Sequence, residues 1–325
     1  LCIITAGFKE TGKEGAEVEK QLVEKIKEYG MRCVGPNCLG VVNTHPDVRM
    51  DGCFAESLPE RGNIGFVSQS GALGGGILNI LKDLNLGFAQ FISIGNQADV
   101  NAETALEYWE NDEDVKQILL YMESIQDPAN FRKLATRITK KKPILALKSG
   151  RSAAGASAAS SHTGSLAGAD KAAAALLHQS GIIREFSLKN LFATAKVFST
   201  CPIPKGDRVA IITNSGGPGI MATDAVCEYG MQMAKLTDAT KDKLRSFLPS
   251  AASVKNPVDM IASAPIEHYK QTLETVIADE NVDMIITIYL PFLGLKDIDV
   301  AKALMEIKAE HPEKPIIGVF MTKSD

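Results

Sequence analysis

From residue 64 onward the 325-residue chain repeats one pattern: a short apolar run, a turn of small residues, then an amphipathic stretch. The apolar runs of a first series are Ile64–Ser68, Ala89–Ile94, Gln117–Met122, Ile144–Leu147 and Ile182–Arg184. After the first of them, Leu73, Ile77, Ile80, Leu81 and Leu84 recur at helical spacing. Buried strands that alternate with helices in this way predict a doubly wound parallel sheet, an α/β architecture. Cys201-Pro202-Ile203-Pro204-Lys205-Gly206 reads as a linker. A second series follows, with strands predicted at Arg208–Thr213, Gln232–Lys235, Met284–Leu290 and Pro315–Phe320 and a helix over Ile220–Tyr229 closed by Gly230. Read against a five-stranded unit, this second series ends short.

Ahead of residue 64 the pattern is less regular. Leu1–Thr5 and Met31–Val34 read as strands around a helix over Glu17–Tyr29, whose Val18, Leu22, Ile26 and Tyr29 share one side and which Gly30 ends. Residues 41–61, with Pro46 and Pro59, read as connection. The opening is not a signal peptide, and a strand at residue 1 suggests that the chain starts inside a domain. Net charge is −4, which gives no basic surplus for nucleic acid or an anionic membrane. No apolar run reaches membrane-spanning length. The six cysteines have no paired spacing and read as reduced thiols of a cytoplasmic protein.

Two strand-to-helix turns could carry chemistry, Ser68-Gln69-Ser70-Gly71 and Ser215-Gly216-Gly217-Pro218-Gly219. Each places free backbone N–H groups and the positive end of a helix dipole behind small residues, an arrangement that receives anions and is also found in plain tight turns. Neither is followed by a Gly-Lys-Ser/Thr, and no Gly-x-Gly-x-x-Gly spacing is present. A third segment, Ala158-Ala159-Ser160-Ser161-His162-Thr163-Gly164-Ser165, follows the strand at Ile144–Leu147. Its residues are too small to build a core, so His162 is either an ordinary surface histidine or a nucleophile at the carboxyl edge of a parallel sheet. Glu123 ends another strand and is either a solvated carboxylate or a partner that orients an imidazole. Cys38 has no histidine or second cysteine at metal-ligand spacing and reads as a structural thiol. Asn256-Pro257-Val258-Asp259 reads as an Asx-type turn.

Taken in order, Gly35-Pro36-Asn37-Cys38-Leu39-Gly40, Ser68-Gln69-Ser70-Gly71, Glu123, Ser161-His162-Thr163-Gly164-Ser165, Thr213-Asn214-Ser215-Gly216-Gly217-Pro218-Gly219 and Asn256-Pro257-Val258-Asp259 form a specific set. The chain resembles the NDP-forming acyl-CoA synthetases over essentially its whole length, and more distantly succinyl-CoA synthetase. The resemblance implies the end of a CoA-binding Rossmann domain at residues 1–48. It implies a flavodoxin-like ligase domain with a phosphohistidine loop at 60–200 and a second one, truncated, at 206–325. It implies His162 as the phosphorylated residue, Glu123 as its partner, and phosphate at Ser68, Gln69, Ser70, Gly71, Ser215, Gly216, Gly217, Pro218 and Gly219. Gly35, Pro36, Asn37 and Cys38 would lie near the CoA thiol. The implied reaction converts acyl-CoA, ADP and phosphate reversibly to carboxylic acid, CoA and ATP. Coenzyme A is then a substrate, ADP or ATP with Mg sits on an ATP-grasp β subunit or fused domain, this chain binds no metal, and the assembly is an oligomer. A second reading is an acyl-CoA-sensing regulatory domain of a protein acetyltransferase, but there the histidine is lost.

Overall fold

The structure, a computed structural model, describes residues 1–155, 157, 170–292 and 296–322, and the chain divides into two units, Leu1–Ser199 and Thr200–Asp325. The first unit runs α1 (Lys13–Glu28), β1 (Gly40–Asn43), β2 (Met50–Cys53), β3 (Arg61–Ser68), α2 (Gly71–Ile80), β4 (Phe88–Ser93), α3 (Ala102–Trp109) and β5 (Gln117–Met122). It continues through α4 (Pro128–Ile138), β6 (Ile144–Lys148), α5 (Asp170–Gln179), β7 (Ile183–Glu185) and α6 (Leu188–Thr200). Its sheet has the order β2-β1-β4-β3-β5-β6-β7. Strands β3 to β7 are mutually parallel, and their order, second-first-third-fourth-fifth, is the flavodoxin arrangement.

The central strands are apolar because helices cover both faces of the sheet. Ile64, Phe66 and Leu119 pack with Ile77 and Leu78 of α2 and with Leu191 and Phe192 of α6. Val67, Ile118 and Leu120 turn to the other face, against Leu106 and Trp109 of α3 and Leu134 and Ile138 of α4.

Residues 41–61 are not mere connection. β1 joins β4 antiparallel, with Val41 opposite Ile92 and Asn43 opposite Gln90, and β2 folds back on β1. This hairpin was hidden in the sequence because β2, Met-Asp-Gly-Cys, is almost wholly exposed, so backbone pairing and not apolar alternation makes the strand. Leu1–Thr5 and Met31–Val34 do run side by side, but they reduce to one parallel bridge, Cys2 with Val34. Two short strands on their own are marginal. The first helix begins at Lys13, four residues earlier than the apolar stripe predicts.

The second unit runs β8 (Arg208–Thr213), α7 (Gly216–Glu228), β9 (Gln232–Met233), α8 (Asp238–Phe247), β10 (Val258–Asp259), α9 (Ile266–Ile277), β11 (Met284–Tyr289), α10 (Asp297–Glu310) and β12 (Ile316–Phe320). All of its strand pairs are parallel. β11 lies on one side of β8, while β9 and β10 share the other side. β9 pairs with the start of β8 and β10 with its end.

The gap between those two half-strands is closed by a side chain. Asn256 Oδ1 accepts from Ile211 N–H (2.9 Å), and its Nδ2 donates to Val209 O (2.8 Å) and Ala234 O (3.0 Å). The expected local Asx turn is therefore a long-range contact in which a carboxamide stands in for a peptide group. Among the described residues no helix is long and apolar enough to cross a membrane.

Candidate active site

The chain leaves β3 toward β4 on one side and reaches β5 on the other, so the strand order reverses beside the carboxyl end of β3. Ligands bind at such a point in parallel sheets. A cavity of 530 Å³ opens there within the first unit. Ser70, Gly71 and Ala72 of the β3–α2 turn line it, as do Gly95, Asn96 and Gln97 after β4, Glu123 and Ser124 after β5, and Asn37 and Cys38.

Ser70 is the N-cap of α2. Its Oγ accepts from Leu73 N–H (3.3 Å) and its carbonyl from Gly74 N–H (3.0 Å), while Ser68 Oγ donates to the same carbonyl (2.7 Å). The N–H groups of Gly71 and Ala72 precede the first intrahelical bond and face a cavity wall, as an anion site requires. A Cβ on Gly71 would stand 3.3 Å from Leu39 N, so the turn fits tightly under the Cys38–Leu39 backbone.

Gln69 has a different task from the phosphate contact expected of it. Its Oε1 accepts from Glu123 N–H (2.6 Å) and Ser124 N–H (2.9 Å), and its Nε2 donates to Ser124 O (2.7 Å). Its own N–H is bound to Tyr121 O (3.2 Å). Gln69 thus ties the end of β3 to the backbone that carries Glu123. Glu123 is only 7% exposed. We expect Gln69→Ala to lower turnover by about 10- to 100-fold, because a displacement near 1 Å at a reacting group has that scale of cost. Steady-state assay against wild type checks it, and an unchanged kcat would refute the positioning role.

Lys148, one strand further along at the end of β6, is a buried cation that sequence reasoning did not single out as a site residue. It lies in register with Met122, next to Glu123, and its Nζ donates to Ser149 O (2.5 Å). Burial pulls its pKa below the usual lysine range and Arg184 adds to the fall, whereas Asp170 and Glu123 oppose it. His162 lies outside the described residues. On the near side of the segment that carries it stands Lys148, and on the far side Asp170, which is ion-paired with Arg184.

The Gly35–Cys38 turn forms another wall. Pro36 O accepts from Asn96 N–H (2.9 Å), Gly35 O from Ala98 N–H (3.1 Å), and Leu39 N–H donates to Ser93 Oγ (2.9 Å). A Cβ at Gly95 would fall 2.2 Å from Pro36 O, which explains a glycine that the sequence alone left unremarked. Asn96 Nδ2 also donates to Glu10 (2.5 Å) and Glu19 (2.8 Å), anchoring the loop to α1 and the residues before it. Cys38 is buried, and that burial pushes its thiol up to about 12, so it is a protonated thiol and not a nucleophile.

The second unit repeats the device. Asn214 exchanges two hydrogen bonds with Leu290 (2.8 and 2.9 Å), tying the end of β8 to the end of β11 as Gln69 ties β3 to β5. In the Ser215–Gly219 turn, Ser215 N–H is bound to Thr213 Oγ1 (3.0 Å) and Gly219 N–H to Ser215 O (3.4 Å), and Pro218 has no N–H. Gly216 and Gly217 are the donors that remain. Asp259 Oδ2 lies 3.3 Å from where a Gly216 Cβ would sit, so this terminus already faces a carboxylate. On charge alone the α2 terminus is the better phosphate receptor of the two. Among the described residues no group of three or more His, Cys, Asp or Glu is placed to hold a metal ion.

Residues 61–198 match the succinyl-CoA ligase-like flavodoxin domain, and residues 209–323 match the ligase-CoA domain. The α subunit of an ADP-forming acetate–CoA ligase II from Pyrococcus furiosus is 45% identical over 324 residues, which are 99% of this chain and 70% of that subunit. An ADP-forming acetate–CoA ligase from Methanocaldococcus jannaschii is 42% identical over 98% of this chain, which spans only 45% of that longer protein. The dinucleotide-forming acetyl-coenzyme A synthetase 1 of Candidatus Korarchaeum cryptofilum, solved in complex with phosphate and ADP, superposes with a TM-score of 0.92 at 33% identity, over 98% of this chain and 68% of that one. These relatives are ligases, which favours catalysis over the acyl-CoA-sensing reading. With its two flavodoxin-like domains and near-full-length identity to an α subunit, the chain belongs to the ADP-forming acetate–CoA ligase family of acid–thiol ligases.

Proposed function

We propose that this chain performs the acyl-CoA half-reaction of an ADP-forming acyl-CoA ligase and carries its phosphohistidine. The observation that carries the reading is that the free N–H groups at the start of α2 and the buried carboxylate Glu123 wall one cavity at the strand-order reversal. Phosphate held on the Gly71 and Ala72 N–H groups attacks the thioester carbonyl, CoA leaves as its thiolate, and an acyl phosphate remains. An imidazole nitrogen of His162 then attacks phosphorus, and the carboxylic acid departs as its carboxylate. Glu123 holds the opposite imidazole nitrogen and stabilises the cationic ring that results. Transfer of phosphoryl groups needs chiefly positioning and charge stabilisation, which the α2 terminus supplies. Gly216 and Gly217 of the second unit provide a further phosphate-binding terminus. The Gly35–Cys38 turn borders the CoA thiol end through its backbone.

The phosphoryl group passes from His162 to ADP, bound with Mg on an ATP-grasp β subunit or fused domain in a cytoplasmic, oligomeric enzyme. This chain itself holds no metal in the scheme. Incubating the protein and its nucleotide-binding partner with labelled phosphate and acetyl-CoA tests it. Acid-labile, base-stable label on the peptide containing His162 is the expected result. Binding of acetyl-CoA without label would overturn the ligase reading in favour of a sensor.

A further inference from the structure

We propose that Cys2 and Cys38 form an oxidisable dithiol beside the cavity, a modification site for low-molecular-weight disulfides. Their Sγ atoms stand 3.9 Å apart although 36 residues separate them in the chain. The parallel bridge between Cys2 and Val34 and the hydrogen bond from Ile3 N–H to Val34 O (3.0 Å) hold the two segments in place. The remaining thiols nearby face other partners: Cys33 Sγ approaches Val34 O (3.5 Å) and Cys53 Sγ approaches Asp51 (3.5 Å).

The pair is asymmetric. Cys2 is exposed and Cys38 is buried. A thiolate is the attacking species in exchange, so the accessible Cys2 reacts first and the high pKa of Cys38 suits it to the second, resolving step. The Cys2 thiolate attacks one sulfur of RSSR, giving Cys2–S–S–R and RS⁻. Cys38 loses its proton to solvent and attacks the Cys2 sulfur, and a second RS⁻ leaves. Two protein thiols and RSSR thus give one protein disulfide and two RSH.

A disulfide needs its sulfurs about 2.05 Å apart, so closure draws Cys38 toward Cys2. Cys38 lies in the cavity wall, and the Pro36–Asn37 backbone beside it packs against Gly95 with no room for a methyl group. The wall therefore moves with the bond, and use of acyl-CoA falls. This last consequence rests on the proposed ligase function, whereas the thiol chemistry does not.

The test treats the full-length chain, assembled with its nucleotide-binding partner, with oxidised glutathione. Loss of two thiols, a Cys2–Cys38 cross-linked peptide and an approximately tenfold fall in acetyl-CoA-dependent ATP formation, reversed by dithiothreitol, are expected. Cys2→Ser should keep its activity through the same treatment. A cross-link to Cys33 or Cys53, a stable glutathione adduct on Cys2 with Cys38 free, no thiol loss, or equal inactivation of Cys2→Ser would each overturn the proposal. Failure of His162 labelling in the reduced enzyme would count against the ligase reading alone, because the peptide map is read independently of turnover.

Discussion

Replacing His162 with alanine should reduce ATP formation from acyl-CoA, ADP and phosphate by about four orders of magnitude or more, since a covalent carrier has no substitute within the scheme. The loss should be selective. Attack on the thioester precedes histidine phosphorylation, so CoA release from acetyl-CoA in the presence of arsenate should persist in the variant. An acyl arsenate hydrolyses without enzyme, and that step calls on the α2 N–H groups and not on the imidazole. Folding should be unaffected, because the sequence neighbours of His162 are Ser, Thr, Gly and Ala, which leave little packing to disturb. ATP formation near the wild-type rate would end the phosphohistidine mechanism. Loss of arsenolysis together with ATP formation would show that the histidine acts in the first step as well.

Glu123→Gln should slow phosphorylation of the histidine by about 10²- to 10⁴-fold, the range expected when a positioned acid–base group is lost. The substitution preserves size and one hydrogen-bonding oxygen but removes the charge that steadies a cationic ring. It leaves the link to Gln69 intact, because Gln69 binds the backbone of Glu123 and Ser124 and not the carboxylate. Thermal stability should therefore change little while rapid-quench phosphorylation falls. Wild-type rates would reduce Glu123 to a strand-end carboxylate. A large drop in melting temperature would make it a structural residue.

The fold was most readable where burial writes itself into composition. β5 and β8 lie where their unbroken apolar runs place them, because strands covered on both faces have no other sequence signature. The β1–β2 hairpin and β10 were not readable, since short or exposed strands are specified by the partner that receives them and not by their own residues. The same division holds in the site. The Ser68–Gly71 turn and Glu123 could be recognised as strand ends at the carboxyl edge. The carboxamide of Gln69 was mistaken for a phosphate ligand because its hydrogen bonds go to residues 54 and 55 positions away. Cys2 and Cys38, scattered in sequence, meet only through the pairing of the chain's first residues with Val34.

The carboxamide patch on β8 has a bearing on how the second unit is assembled during synthesis. Ile211 emerges from the ribosome 45 residues ahead of Asn256, the group that satisfies its N–H. Over that interval β9 covers only the first part of the strand, and the apolar remainder presents an open edge of the kind that recruits strands from neighbouring chains. A nascent chain halted between residues 235 and 255 is thus the vulnerable species. Arrival of one asparagine, with the two-residue strand behind it, takes the edge out of circulation.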